Sequence, residues 1–175
     1  VVQAYILKDH FTTEVKEACR QINFEGVAIE VVITEIEKQN WNQVWEESFE
    51  PVEIDDFCII RAPFHEKKRD FKYEINIEPK MSFGTGHHAT TQLMVKAMSR
   101  LTIEDKVILD MGSGTGVLAI LASFMGAKHA DAIDIEDWAF ENMKENIERN
   151  NSENVHPYLG DASLLKSLER EYDII

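Results

Sequence analysis

The chain has 175 residues, 44% of them apolar and 29% charged, an ordinary globular balance that excludes a wholly disordered protein. Lys and Arg number 18 against 32 Asp and Glu, for a net charge of −14. Residues 1–80 hold 10 basic and 17 acidic groups and residues 81–175 hold 8 and 15, so neither part has the clustered cations that phosphate neutralisation needs. That disfavours nucleic acid as a direct partner and favours a basic protein, whose opposite charge speeds encounter.

In chain order, Val1–Leu7 reads as a strand. A short amphipathic helix follows to about Gln21, with Thr12 and Thr13 as N-cap candidates and Glu14 in the first turn. Gly26 ends the connection, and the β-branched run Ala28–Thr34 reads as a second strand, completing a β-α-β unit. Trp41, Trp45 and Phe49 recur every fourth residue, the spacing of one helix face, and Pro51 breaks that helix. Phe57–Arg61 is strand-like. Arg61–Lys72 holds five basic and two acidic residues, the composition of a solvated hinge. Phe71, Tyr73, Ile75 and Ile77 then alternate with Lys72, Glu74, Asn76 and Glu78, the period of a half-buried strand. The expected organisation is a partial recognition domain over 1–60, a linker over 61–80 and a second domain over 81–175.

The second part alternates helix and strand: helices at Ala89–Arg100, Val117–Met125 and Glu136–Asn150, strands at Lys106–Asp110, Ala130–Asp134 and Val155–Leu159, and a further strand beginning at Tyr172. This pattern predicts an α/β fold with a parallel sheet. The longest apolar stretch, near Val117–Ala127, is too short to cross a bilayer, so no membrane partner is expected. Cys19 and Cys58 have no metal or redox spacing, which points to a reducing, cytoplasmic compartment. His87 and His88 are adjacent, with no Asp or Glu in their loop, and no metal site is expected.

The informative segment is Val107–Val117 (VILDMGSGTGV), in which an apolar strand runs into Gly112, Gly114 and Gly116 and a helix follows at once. Such a turn lets a ligand approach the backbone and offers it helix N–H groups. No Gly-Lys-Ser/Thr follows, which excludes a P-loop, and a dinucleotide fingerprint fails because Val117 stands where its third glycine would be. Asp110 at the strand end would also repel a pyrophosphate, by about 4 kcal/mol at 4 Å and an effective dielectric near 20. A cationic nucleoside reverses that sign. S-adenosylmethionine therefore fits best, with Asp134 at the next strand end accepting ribose hydroxyls and Asp161 after the third strand accepting from the adenine amino group.

These residues resemble the PrmA-type ribosomal protein methyltransferases, which modify the eleventh large-subunit protein. The glycine loop alone indicates only some methyltransferase. The upstream run Met81–Thr91 (MSFGTGHHATT) narrows it, together with Asn40–Trp45 (NWNQVW), Phe49–Pro51 and Ile60–Pro63. The resemblance implies a class I S-adenosylmethionine-dependent methyltransferase fold, a Rossmann-like parallel sheet incomplete here, preceded by part of a ferredoxin-like α+β domain. It implies methylation of lysine or α-amino groups of a basic ribosomal protein. By motif, Thr91, Gly112 and Asp134 would contact the cofactor, and Phe83, Gly114 and Gly116 would line its pocket. The attacking amine must be neutral, and deprotonating a lysine at pH 7 costs about 4–5 kcal/mol. The family's Asn-containing loop would follow Ile175, so no catalytic residue is named and a fragment cut at both ends is expected. The alternatives are a small-molecule or RNA methyltransferase, or a fragment that binds cofactor without turnover. With the fourth strand incomplete, an open edge beside the glycine-loop strand is expected to drive self-association.

Overall fold

The computed structural model describes residues 6, 10–22, 26, 30, 32–34, 49–67, 69–80 and 83–175. The chain divides into two compact units, Val1–Trp41 and Asn42–Ile175. In the first, helix α1 (Thr13–Gln21) starts as expected, with the Thr12 hydroxyl accepting from the Val15 amide. The strands expected at 1–7 and 28–34 and the helix expected at 41–49 lie wholly or largely outside the described residues.

Among the described residues, the second unit holds two three-stranded sheets. In the first, β1 (Val52–Ile54) pairs antiparallel with β2 (Cys58–Arg61), and β2 pairs parallel with β3 (Tyr73–Asn76). β1 escaped the sequence reading because three residues next to Pro51, followed by two aspartates, carry no periodicity. The second sheet is parallel, in the order β4 (Val107–Met111), β5 (His129–Asp134) and β6 (Val155–Leu159). Helices α2 (Ala89–Met98), α3 (Val117–Phe124) and α4 (Asp137–Arg149) alternate with these strands, as the pattern predicted. A 3-10 turn (Ala162–Leu164) and the short α5 (Leu165–Leu168) follow.

The linker expected over 61–80 is corrected by this architecture. Residues 61–80 belong to the second unit, and the boundary falls between Trp41 and Asn42. Ile60, Ile75 and Ile77 are buried in the same apolar cluster as Val95, Val117, Ile120 and Ala130. The charged run looked like a hinge because its cations are conspicuous in sequence, yet Arg61 pairs with Glu74 at 2.7 Å and Arg69 bridges Glu53 and Asp56, each at 2.8 Å.

The outer edge of β4 is not open over its first residues. The Asp173 amide donates to Val107 O at 2.8 Å and the Leu109 amide to Ile174 O at 2.9 Å. Among the described residues no helix is long and apolar enough to cross a membrane. Cys58 is fully buried, which pushes its thiol up to about 12, so it acts as a small apolar side chain.

Ile120 is fully buried on α3, between the glycine loop and the rest of the core. Ile120→Ala should cost about 3–4 kcal/mol. Urea denaturation followed by circular dichroism should show a lower midpoint with an unchanged slope.

Candidate cofactor site

The C-terminal end of β4 leads straight into the glycine loop, and Gly116 is the N-cap of α3. Gly112 has φ +74° and a Cβ built there would meet nothing within 4 Å, so the backbone is open to a ligand. Gly114 differs: at φ +55° its Cβ would lie 2.2 Å from the carbonyl oxygen of Phe83. Its glycine is required because the segment 83–84 crosses directly over the loop. The Thr115 amide donates to Phe83 O at 2.8 Å, and the Thr115 hydroxyl donates to Gly84 O at 2.9 Å.

A cleft opens beside this crossing. Its walls come from three places: Phe83 and Gly84 of the crossing segment, Thr90, Thr91 and Met94 of α2, and Asp110, Gly112, Ser113, Val117 and Leu118 of the glycine loop and its flanks. Four of the eight expected cofactor residues meet there, namely Phe83, Thr91, Asp110 and Gly112. Gly114 and Gly116 face protein instead, Gly114 toward Phe83 and Gly116 toward Met143. The sequence reading missed Met94, although it lies one turn beyond Thr91, and it missed Ser113 and Leu118.

Asp134 stands at the end of β5, where one carboxylate oxygen accepts from the Gly114 amide at 2.7 Å and the other from the Glu136 amide at 3.1 Å. Each oxygen has two lone pairs, so a free acceptor position remains on both. It therefore shapes the loop and caps the approach to α4 while keeping the capacity to receive hydroxyls. Asp161 is exposed and caps the 3-10 turn, accepting from the Ser163 amide at 2.8 Å, and hydrogen bonding with the Ser163 hydroxyl and then with its amide holds its carboxyl below the usual range.

The amides of residues 112–116 are all engaged within the protein. The Gly112 and Ser113 amides donate to Ile133 O, Gly114 to Asp134, Thr115 to Phe83 O and Gly116 to Ser113 O. The loop has spent its donors on holding its own shape, and what it turns to the cleft is negative. Asp110 Oδ2 is buried with no hydrogen-bond partner. Burial pushes the Asp110 carboxyl up to about 6; the nearby Asp134 charge adds to this, and the Ala119 amide in the first turn of α3 opposes it. An orphaned carboxylate oxygen in a cleft is a site for a cation or a donor, not for a phosphate. Among the described residues no three His, Cys, Asp or Glu converge as metal ligands.

The whole sequence, residues 1–175, matches the family described as Ribosomal protein L11 methyltransferase (PrmA). The chain belongs to this family. It is 43% identical over 176 residues to the ribosomal protein L11 methyltransferase of Phocaeicola vulgatus, covering 99% of this chain and 62% of that protein. Against the same-named protein of Porphyromonas gingivalis the identity is 47% over 127 residues, covering 72% of this chain and 44% of the relative. Among solved structures, a ribosomal protein L11 methylase from Lactobacillus delbrueckii subsp. bulgaricus superposes with a TM-score of 0.62 at 29% identity, covering 72% of this chain and 65% of that one. The chain thus spans less than two thirds of these relatives' lengths. The expected class I methyltransferase fold is the one found, incomplete in its sheet.

Two predictions follow from the loop. Gly112→Ala should fold at a cost of about 1 kcal/mol for its left-handed backbone, yet its methyl would stand in the open approach and weaken ligand binding. Gly114→Ala should destabilise more, since Phe83 must move; thermal melting of the two variants side by side checks the order. Asp110 supplies the other. Keeping this carboxyl ionised above about 6, against 3.8 when unfolded, costs the ligand-free fold on the order of 3 kcal/mol. That cost disappears as pH falls from about 6 toward 4, and Asp110→Asn should raise the melting temperature at pH 7.5.

Proposed function

We propose that this chain forms the S-adenosylmethionine-binding part of an enzyme that methylates lysine or α-amino groups of ribosomal protein L11. The observation that carries the cofactor assignment is the partnerless Asp110 oxygen at the head of a glycine loop with no amides to spare. S-adenosylmethionine, when bound, supplies a methyl group activated by a sulfonium. Asp110 would face its positive charge, and the bare Cα of Gly112 would let it approach. Phe83 and Thr91 would wall the cleft, Asp134 would receive hydroxyls through its remaining lone pairs, and Asp161 would accept from a base amino group at the end of β6. Gly114 and Gly116 would serve through the shape of the loop. The substrate assignment rests on the family and agrees with the net charge of −14, which favours a basic protein.

Calorimetric titration of residues 1–175 with S-adenosylmethionine, NAD and ATP tests the cofactor. Binding of the methyl donor alone is expected, and binding of only a phosphate-bearing nucleotide would overturn the assignment. A cation needs the Asp110 carboxylate charged, so affinity should fall as pH drops through the free-protein value of about 6 and stay level above it. For the substrate, the full-length enzyme should transfer label from the methyl donor to L11; label on RNA instead would favour the RNA methyltransferase reading.

A further inference from the structure

Three asparagines, Asn142, Asn146 and Asn150, recur every fourth residue along α4 and are all buried, at 1%, 0% and 8% exposure. Asparagine is a poor helix former and a poor core residue, so a stripe of three needs a reason. The strand β3 and its continuation supply it. On one side, the Tyr73 and Ile77 amides donate to Phe57 O and Arg61 O, the pairing of an ordinary parallel strand. On the other side, among the described residues, no strand pairs with it, and Asn76 and Glu78 meet α4. Asn150 accepts from the Asn76 amide at 2.9 Å and donates to its carbonyl at 2.7 Å. Asn146 accepts from the Glu78 amide at 2.9 Å, and Asn142 donates to the Glu78 carbonyl at 3.3 Å. Side-chain amides thus stand in for the missing neighbouring strand.

Asn146 does one thing more. Its side-chain NH2 donates to Thr115 O at 3.0 Å, inside the glycine loop. Thr115 in turn holds the crossing segment, through its amide to Phe83 O and its hydroxyl to Gly84 O. One buried side chain therefore ties residue 78, just before the crossing segment, to the loop that this segment covers.

We propose that Asn146 is a positioning residue of the cofactor site, which sets the placement of Phe83 and Gly84 over the glycine loop by bonding Glu78 and Thr115 at once. The affinity part rests on the cofactor reading above; the geometric part does not. Asn146→Asp keeps an acceptor for the Glu78 amide but sets an oxygen against Thr115 O in place of the donor. In the chain of residues 1–175, two quantities are measured well below each protein's melting temperature: hydrogen exchange at the Thr115 amide without ligand, and the Kd for S-adenosylmethionine. Loss of one buried hydrogen bond should raise both about tenfold. A merely structural asparagine would lower the melting temperature and leave both unchanged, and that result would overturn the proposal. Should Asn146→Asp fail to fold, Thr115→Val, which deletes only the bond to Gly84 O, is measured in the same way. Unchanged exchange and Kd there would equally overturn it. If the unmutated chain binds no S-adenosylmethionine, the cofactor reading fails, and Thr115 exchange alone decides the positioning role.

Discussion

A carboxylate oxygen buried without a partner is costly in a folded protein, and the second unit of this chain is arranged around one. Asp110 is the penultimate residue of β4 and follows the buried Ile108 and Leu109, and the helix that follows offers it the Ala119 amide, which leaves Oδ2 without a partner. The fold tolerates this because the surrounding apolar cluster, from Ile108 through Ile120 to Ala132, holds the strand end rigid. On the proposed cofactor reading, a ligand that brings positive charge to the cleft would relieve that cost and couple binding to stability through this side chain.

The glycine loop has a second constraint, which comes from above. Phe83 and Gly84 pass so close that Gly114 has no room for a Cβ, and Gly84 itself has none against the Thr115 hydroxyl at 2.5 Å. Two glycine-containing segments far apart in sequence are therefore packed backbone to backbone. Such an approach is stable only when the polar backbone groups it buries are paired, and Thr115 pairs them. The asparagines of α4 do the same for Asn76 and Glu78. β3 is held on one side by its parallel ladder with β2, and Asn76, Glu78, Phe83 and Gly84 are held by side-chain and loop amide or hydroxyl contacts.

Membership of the L11 methyltransferase family and the incomplete class I fold agree with the residues that first suggested them. The upstream run to Thr91 includes the segment that lies over the loop, with Phe83 O and Gly84 O held by Thr115. Four of the expected cofactor residues converge on one cleft, while Gly114, Gly116, Asp134 and Asp161 have structural partners of their own. For Asp134 the two roles coexist, since a carboxylate with one bond per oxygen keeps acceptor capacity.

Local pattern alone determined the helices and parallel strands of residues 89–159, the half-buried strand at Tyr73–Asn76 and the positions of the acidic strand ends, because periodicity, caps and glycine breaks act within a few residues. Only the tertiary structure decided that residues 61–80 belong to the second unit rather than to a linker, that the loop amides are already used, and that three helix asparagines pair with β3 and its continuation. Most of the bonds behind those outcomes join residues 16 to 74 positions apart, whose partners no local window contains.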